Sequence, residues 1–339
     1  MDVARNHQAR RRSFLARSSA LTASLLLGMP RFASAEPPPE VTRIRLVDFP
    51  AVCLAPQYLA EDLLRLEGFS DVEYVKFSAD NPSAAVADGR ADFTMDTAPF
   101  LVAQLDAGKP ILPLAGVHDG CYELFGNDRI QKIRDLKGKS VAVSEIGAGD
   151  YIFISSIAAY YGLDPRRDIN WVATHSFANS MQSFIAGKVD AFLAFEPQPH
   201  ELRALNVGHV IIDTTYDRPW SQYFCCMVTS GRDFAQQYPI ATKRALRAFL
   251  KATDICAREP ERAARYLAAK GFEPRVKLSL DVLKSLPYRR WRETDPEDTL
   301  RFHALRLREA GLINSSPHQI IAQGTDWRFL NELKRELKA

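Results

Sequence analysis

Two short segments of the chain carry a histidine and cysteines that could support nucleophilic chemistry. His118, Asp119 and Cys121 fall within four consecutive positions, and Cys225 and Cys226 are adjacent farther along. Catalysis by a thiol needs a base within hydrogen-bond reach and a third group that orients the base. Neighbours one to three residues apart on an extended segment need not face each other, and the sequence identifies no orienting group. We therefore predict that these residues form no catalytic centre and that the chain is not an enzyme.

The cysteines also lack the spacing of a metal site. The five of them form no CxxC pair, and no matching pair of histidines accompanies them, as a zinc site would require. Their odd number leaves at least one thiol free if all pairing is intramolecular. We expect buried structural cysteines, while a bridge from Cys121 to Cys225 or Cys226 stays open in an oxidising compartment. The sequence thus predicts neither a metal nor a cofactor.

Four short segments follow predicted strands, where α/β proteins bind their ligands. They are residues 48–53, 96–99, 118–122 and 147–151. Ligands of such folds lie beyond the carboxyl ends of the strands, where helix N-termini supply free N–H groups. Gly147 and Gly149 would allow close backbone approach to a ligand, and an ordinary strand–helix turn fits them equally well. Asp96 is placed to cap the helix that begins near Pro99.

The elements that must position these segments alternate between strands and helices with short connections. Residues 42–47 alternate polar and apolar side chains as a half-buried strand does, and residues 56–66 follow as a helix that ends before Gly68. The same order restarts with a strand at 140–143 and a helix at 151–161. This alternation predicts an α/β fold with mostly parallel sheets flanked by helices. Further helices are predicted over residues 241–257, 260–269, 299–310 and 327–338.

A seven-residue pattern occurs once in each half of this α/β region. Residues 87–93 are Ala-Asp-Gly-Arg-Ala-Asp-Phe, and residues 185–191 are Ile-Ala-Gly-Lys-Val-Asp-Ala. Both combine the end of a helix, a glycine and an aspartate that leads into a strand. The pattern predicts that Asp92 and Asp190 are structural equivalents in two related lobes.

The first 35 residues have the order of a secretory signal. A basic region is followed by a short apolar run and by Ala33-Ser34-Ala35, which predicts cleavage before Glu36 and a periplasmic location. Residues 11–15, Arg-Arg-Ser-Phe-Leu, resemble the twin-arginine (Tat) motif, which implies export in a folded state. Removal of this segment leaves 38 basic and 40 acidic residues. A nearly neutral surface argues against nucleic acid as a partner and favours a small molecule.

Four segments, in order, resemble one known family. They are ADFTMDTAP at residues 91–99, IRDLKGKSVAV at 133–143, GAGD at 147–150 and GKVDAFLAFEP at 187–197. Together they resemble the solute-binding proteins of nitrate, sulfonate and taurine ABC importers. The same family includes binders of thiamine pyrimidine precursors and a related pyrimidine synthase.

The resemblance implies a two-lobed periplasmic-binding-protein architecture with ligand held in the cleft between the lobes. Two crossing segments, near residues 120–126 and 216–224, would join the lobes. Lobe one would comprise residues 36–122 and 222–339, and lobe two residues 123–221. We expect a monomer that captures a small organic solute in the periplasm and delivers it to an ABC-type import permease.

The predicted cleft is rich in carboxylates and aromatic groups and poor in lysine and arginine. Asp48, His118, Asp119 and Glu123 all fall there, which favours a neutral or amine-bearing organic ligand over nitrate. The candidate ligand-binding residues are Asp48, Phe49, Asp96, Thr97, His118, Tyr122, Gly147, Gly149, Asp150, Tyr151, Glu196 and Trp220.

Two other functions fit the same lobes. One is a periplasmic sensory or adaptor protein that reports a ligand to a membrane kinase. The other is the thiamine-pyrimidine synthase of the family, to which residues 224–227, Phe-Cys-Cys-Met, bear a faint likeness. An enzyme of that kind needs a cysteine-rich cluster and a cofactor lysine, and the export signal argues against it.

Overall fold

Ten strands occur in the described part of the computed structural model, which covers residues 36–49, 51–76 and 81–338. The predicted signal segment, residues 1–35, lies outside this range. The strands are β1 (Arg43–Asp48), β2 (Asp71–Lys76), β3 (Phe93–Thr97), β4 (Ile111–Asp119), β5 (Tyr122–Gly126), β6 (Lys139–Val143), β7 (Ile169–Ala173), β8 (Ala191–Phe195), β9 (His209–Asp213) and β10 (Phe224–Gly231).

Helices follow most of these strands and fill the C-terminal part. They are α1 (Ala55–Leu66), α2 (Pro82–Ala87), α3 (Ala98–Asp106), α4 (Gly149–Tyr160), α5 (Phe177–Ile185), α6 (Gln198–Leu205), α7 (Arg232–Gln237), α8 (Pro239–Arg258), α9 (Pro260–Ala269), α10 (Val276–Ser285), α11 (Pro296–Glu309), α12 (Pro317–Gly324) and α13 (Arg328–Glu336). None of the helices in the described range is long and apolar enough to cross a membrane.

The strands form two five-stranded sheets that share one plan. The first has the order β2-β1-β3-β10-β4 and the second β7-β6-β8-β5-β9. In the first sheet β10 alone runs antiparallel to its neighbours, and in the second β5 does. The predicted two-lobed α/β fold is therefore confirmed, and its sheets are mixed, because the pairings of β10 and of β5 are antiparallel.

The chain passes between the sheets at two places. β4 in the first sheet is followed after Gly120 and Cys121 by β5 in the second, and the return lies between β9 and β10. The two passages touch, because the N–H of Tyr122 donates to Thr214 Oγ1 at 3.0 Å and the N–H of Thr214 donates to Tyr122 O at 2.9 Å. Residues 122–126, predicted as part of a crossing, are a fully buried strand instead.

The periodic helices are confirmed to within a few residues at each end. The predicted helix 56–66 is Ala55–Leu66, and 241–257 lies within Pro239–Arg258. Helix α10 was harder to predict, because its apolar residues Val276, Leu278, Leu280 and Val282 alternate with polar ones as in a strand.

Candidate functional site

The carboxyl ends of strands from both sheets enclose a small cavity. Phe49, Asp96 and Thr97 line it from the first sheet and the loops that follow its strands. Tyr122 and Gly149 line it from the second lobe. Each of the four predicted ligand-binding segments contributes at least one lining residue. The cavity measures about 30 Å³, whereas small-molecule pockets are typically roughly 300–1,000 Å³, so a solute can enter only if the lobes move apart.

Three phenylalanine rings close the cavity across the two lobes. Phe49 follows β1, whereas Phe177 begins α5 and Phe195 ends β8. The Phe49 ring centroid lies 6.5 Å from that of Phe177, edge-on, and 6.1 Å from that of Phe195. Phe177 and Phe195 meet each other edge-on at 4.8 Å. Phe49 is thus a direct apolar contact between the lobes, and aromatic pairs of this geometry attract each other.

Asp96 is a buried carboxylate on the cavity wall. Its side chain accepts hydrogen bonds from the backbone N–H groups of Ser83 at 3.0 Å and Thr97 at 2.7 Å. The predicted cap of the helix near Pro99 is wrong, because no side chain caps α3 and Asp96 instead meets the first turn of α2. Burial raises the pKa of Asp96 to about 6, so a ligand cation that reaches it would relieve an unfavourable buried charge.

The glycine-containing loop reaches the cavity through Gly149. A β-carbon at this position would lie 3.8 Å from Thr97 Oγ1, so the start of α4 lies close to the first lobe. Asp150 does not line the cavity, because its carboxylate accepts from the N–H of Ser144 at 2.5 Å and holds its own loop. Gly147 is exposed at the outer side of the turn, and it does not line the cavity.

Other predicted ligand-binding residues lie outside the cavity lining. Asp48 Oδ1 accepts a long hydrogen bond of 3.4 Å from the hydroxyl of Tyr58. Glu196 is buried, and its Oε2 lies 2.8 Å from His200 Nδ1, a contact that raises the pKa of His200. Tyr151 is half-buried and does not line the cavity.

Trp220 lies within an aromatic cluster rather than on the cavity. Its indole packs edge-on against Phe153 at 5.6 Å and Phe302 at 5.5 Å, and 2 % of the residue is exposed. Because Phe153 belongs to α4 and Phe302 to α11, Trp220 joins helices from the two lobes. Its position accounts for its burial without a ligand.

Two of the carboxylates expected in the cleft are paired with arginines. Asp119 Oδ2 lies 2.8 Å from Arg290 Nη1, and Glu123 Oε2 lies 2.5 Å from Arg203 Nη2. Among the described residues that line the cavity, Asp96 is the one carboxylate. The predicted excess of carboxylates is therefore wrong, whereas the expected lack of lysine and arginine holds for this lining.

A cluster of thiols and one imidazole forms part of the cavity wall. Cys53, Cys121 and Cys226 line the cavity, and His118 lies behind them. One ligand atom from each of these four residues lies within 4.8 Å of all the others. Cys225 adjoins the cluster, with its Sγ 2.9 Å from that of Cys121. We call the first four residues the Cys₃His cluster.

The cluster has the electrostatics of one thiolate shared among neighbours. Hydrogen bonds from Cys121, Cys225 and Cys53, together with nearby His118, lower the pKa of Cys226 well below its ordinary value. Burial opposes protonation of His118, yet the adjacent Cys226 sulfur outweighs burial and raises the pKa of the imidazole. Thiolates and an imidazole are the donor groups that hold a soft metal ion. Sequence spacing missed this cluster because its members come from three distant segments.

A family model described as "NMT1/THI5 like" matches residues 67–263 of the chain. This match covers more than half of the sequence and every strand of the two sheets except β1. The chain belongs to the NMT1/THI5-like family. No curated protein sequence matches it.

Solved structures of periplasmic binding proteins resemble this NMT1/THI5-like chain over most of its length. The nitrate-binding protein NrtA of Synechocystis PCC 6803 is 17% identical, with a TM-score of 0.75 over 89% of this chain and 90% of the other. The alkanesulfonate-binding protein SsuA of Xanthomonas axonopodis pv. citri, bound to MOPS, is 18% identical, with a TM-score of 0.65 over 83% and 96%. The ligand-binding component of an ABC-type import system from Staphylococcus aureus, with zinc bound, is 13% identical, with a TM-score of 0.68 over 87% and 100%. At these identities the likeness establishes the fold.

Proposed function

We propose that this protein captures a small organic solute in the periplasm by closure of its two lobes and delivers it to an ABC-type import permease. The observation that carries the proposal is the cavity lined from both lobes, with Phe49 of the first lobe packed on Phe177 and Phe195 of the second. A solute held there would contact both lobes and so stabilise the closed form over the open one. NrtA and SsuA, which share the fold, are described as binding nitrate and alkanesulfonates.

The cavity lining favours a neutral or amine-bearing solute with an apolar or aromatic part. An anion would need donors, yet no lysine or arginine is among the described lining residues. Asp96 offers one buried carboxylate whose pKa of about 6 allows ionisation near neutral pH, and the phenylalanines can stack on a ring or cover a methylene chain. We therefore propose a ligand different from the nitrate and sulfonate of the similar structures.

Location and delivery rest on the predicted signal segment. We propose cleavage before Glu36 and a monomeric periplasmic form, because binding and release at a permease need only one copy with two movable lobes. The cysteine cluster supports the synthase alternative. The described cavity-lining residues include no lysine that could hold its cofactor, so capture is the better supported function.

A thermal-shift screen of the purified protein against amines, pyrimidines, aromatic acids, sulfonates and nitrate tests the proposal. A solute that binds only the folded state stabilises it by about 2.7 kcal/mol when present at 100 times its Kd. We expect a saturable shift with amines or pyrimidines and recovery of the solute unchanged. A shift with nitrate or sulfonates alone would contradict the ligand class, and chemical conversion of the solute would contradict capture.

Uptake measurements test delivery. A strain that lacks this protein should lose high-affinity uptake of the identified solute and regain it when the gene is restored. Unchanged uptake, with loss of a transcriptional response to the same solute, would favour the sensory adaptor instead.

A further inference from the structure

We propose that Cys53, His118, Cys121 and Cys226 form a four-coordinate site for a thiophilic metal ion, with Zn²⁺ as the ion that the donor set fits. This metal site is additional to solute capture, and the evidence for it does not depend on whether the protein captures a solute. Three thiols and one imidazole form one of the donor sets that tetrahedral zinc sites use. The fold brings them together from the turn after β1, the end of β4, the β4–β5 passage and β10.

The first argument is distance. A regular tetrahedron whose edges are 4.8 Å places its centre about 2.9 Å from each corner, and Zn–S bonds are about 2.3 Å. Each sulfur therefore has to move inward by about 0.6 Å or less, and the imidazole nitrogen, whose bond to zinc is about 2.0–2.1 Å, by about 0.9 Å or less. Side-chain rotation alone supplies movement of that size.

The second argument is the imidazole of His118. Its residue is fully buried, and Nε2 has no hydrogen-bond partner in the described part of the chain. Nδ1 lies 3.2 Å from Gly120 O, which fixes the proton on Nδ1 and leaves the lone pair on Nε2. A histidine that donates one ring N–H to a carbonyl and offers the other nitrogen to a metal is the common arrangement in metal sites. A buried polar atom without a partner is otherwise costly.

The third argument is that the cluster is shielded from water and from competing cations. Cys53, Cys121 and Cys226 are at most 4 % exposed, and among the described residues the cavity lining holds no lysine or arginine that would compete with a metal ion for the sulfur atoms. When the metal binds, each thiol releases its proton to solvent and the sulfur electron pair forms the bond to the metal. Export in a folded state, which the twin-arginine motif predicts, would keep these thiols protected from oxidation during transit.

A disulfide between Cys225 and Cys121 would compete with metal binding. The Sγ atoms of the two residues lie 2.9 Å apart, so an oxidant that accepts two electrons and two protons could join the two as a disulfide. That bond would remove one of the four ligands. Replacement of Cys225 by serine therefore separates the two outcomes, because it abolishes this disulfide and keeps all four ligands.

The test is a metal titration of the purified protein after reduction and removal of metal. We expect one Zn²⁺ per chain in competition with a chromophoric chelator, and one Co²⁺ with thiolate-to-cobalt charge-transfer absorption and the ligand-field bands of tetrahedral Co²⁺. C225S should bind both ions as the wild type does. C226S and H118Q should weaken Zn²⁺ binding at least tenfold and change the cobalt spectrum.

Cys256 supplies the matched control. It is a fully buried thiol on α8, outside the cluster, so C256S should keep both the affinity and the spectrum. Should C226S fail to fold by circular dichroism, C53S replaces it. The proposal is overturned if no stoichiometric metal binds to reduced C225S, or if H118Q and C53S, both folded, bind it as tightly as the wild type. No solute enters the assay, so failure of solute capture would leave its result unaffected.

Discussion

Asp92 in the first lobe and Asp190 in the second make the same hydrogen bond between equivalent pairs of strands, β1 and β3 in one sheet and β6 and β8 in the other. Asp92 Oδ2 accepts from the N–H of Arg45 on β1 at 2.7 Å, and Asp190 Oδ2 accepts from the N–H of Ser140 on β6 at 2.9 Å. Each aspartate directly precedes the next parallel strand of its sheet, β3 or β8. The seven-residue pattern that repeats in the sequence therefore marks one structural device used twice.

The Asp190 brace should make stability depend on pH in the acid range. Partial burial works against ionisation, yet hydrogen bonds from Ser140 and Asn127 outweigh it and lower the pKa to about 2. Because the folded pKa lies below the unfolded value, the stabilisation is complete above about pH 4 and is lost as the pH falls through 2. We expect D190N to lower the free energy of unfolding at pH 7 by about 2 kcal/mol.

Denaturant unfolding of the wild type and D190N at several pH values measures this effect. The difference between the two proteins should shrink from pH 4 towards pH 2. Asp128, which is exposed, offers a control at the surface, where D128N should change the free energy of unfolding much less. A difference for D190N that stays constant between pH 4 and pH 2 would contradict the assigned role.

The sheets were predictable because their signals are local. Alternation over residues 42–47 and the helical period of 56–66 are properties of short stretches, and they survive in the fold. The cavity loops were predictable for a related reason, because the ends of parallel strands meet at one edge. The Cys₃His cluster and the Asp119–Arg290 pair were not predictable, since they join segments far apart in sequence. Short-range spacing carries no signal of such contacts.

Gly120 should tolerate no side chain, because the two passages between the lobes touch there. Its φ is 61°, and an added β-carbon would lie 2.3 Å from the backbone Cα of Thr215. Strain from the left-handed backbone and overpacking together should cost G120A about 3 kcal/mol or more of unfolding free energy.

Gly187 shows how much of that loss in unfolding free energy comes from the left-handed backbone alone. Its φ of 69° is similar, and nothing lies within 4 Å of an added β-carbon, so G187A should cost about 1 kcal/mol. Thermal or denaturant unfolding of both variants measures the difference. If G120A and G187A lost the same unfolding free energy, contact between the two passages would not contribute to the cost at Gly120.

Asp96 should make the solute-free protein less stable as the pH rises from about 4 to about 6. Its folded pKa of about 6 lies above the unfolded value, so the folded state binds the extra proton between about pH 4 and pH 6. Its contribution to the free energy of unfolding is therefore largest below pH 4, and about 3 kcal/mol of it is lost as the pH rises to 7. Subtraction of the D96N pH profile from that of the wild type isolates this contribution, and a flat difference would refute it.

Phe49 should couple solute binding to lobe closure. Removal of its ring in F49A deletes two aromatic contacts to the second lobe, each worth about 0.5–1.5 kcal/mol beyond its burial. We expect about a tenfold weaker solute affinity, since 1.4 kcal/mol corresponds to tenfold, and a larger radius of gyration of the solute-free protein by small-angle scattering. Tyr216, whose ring is exposed, is the matched control, and Y216A should change neither quantity. An unchanged radius for F49A, with unchanged affinity, would mean that other contacts hold the lobes together.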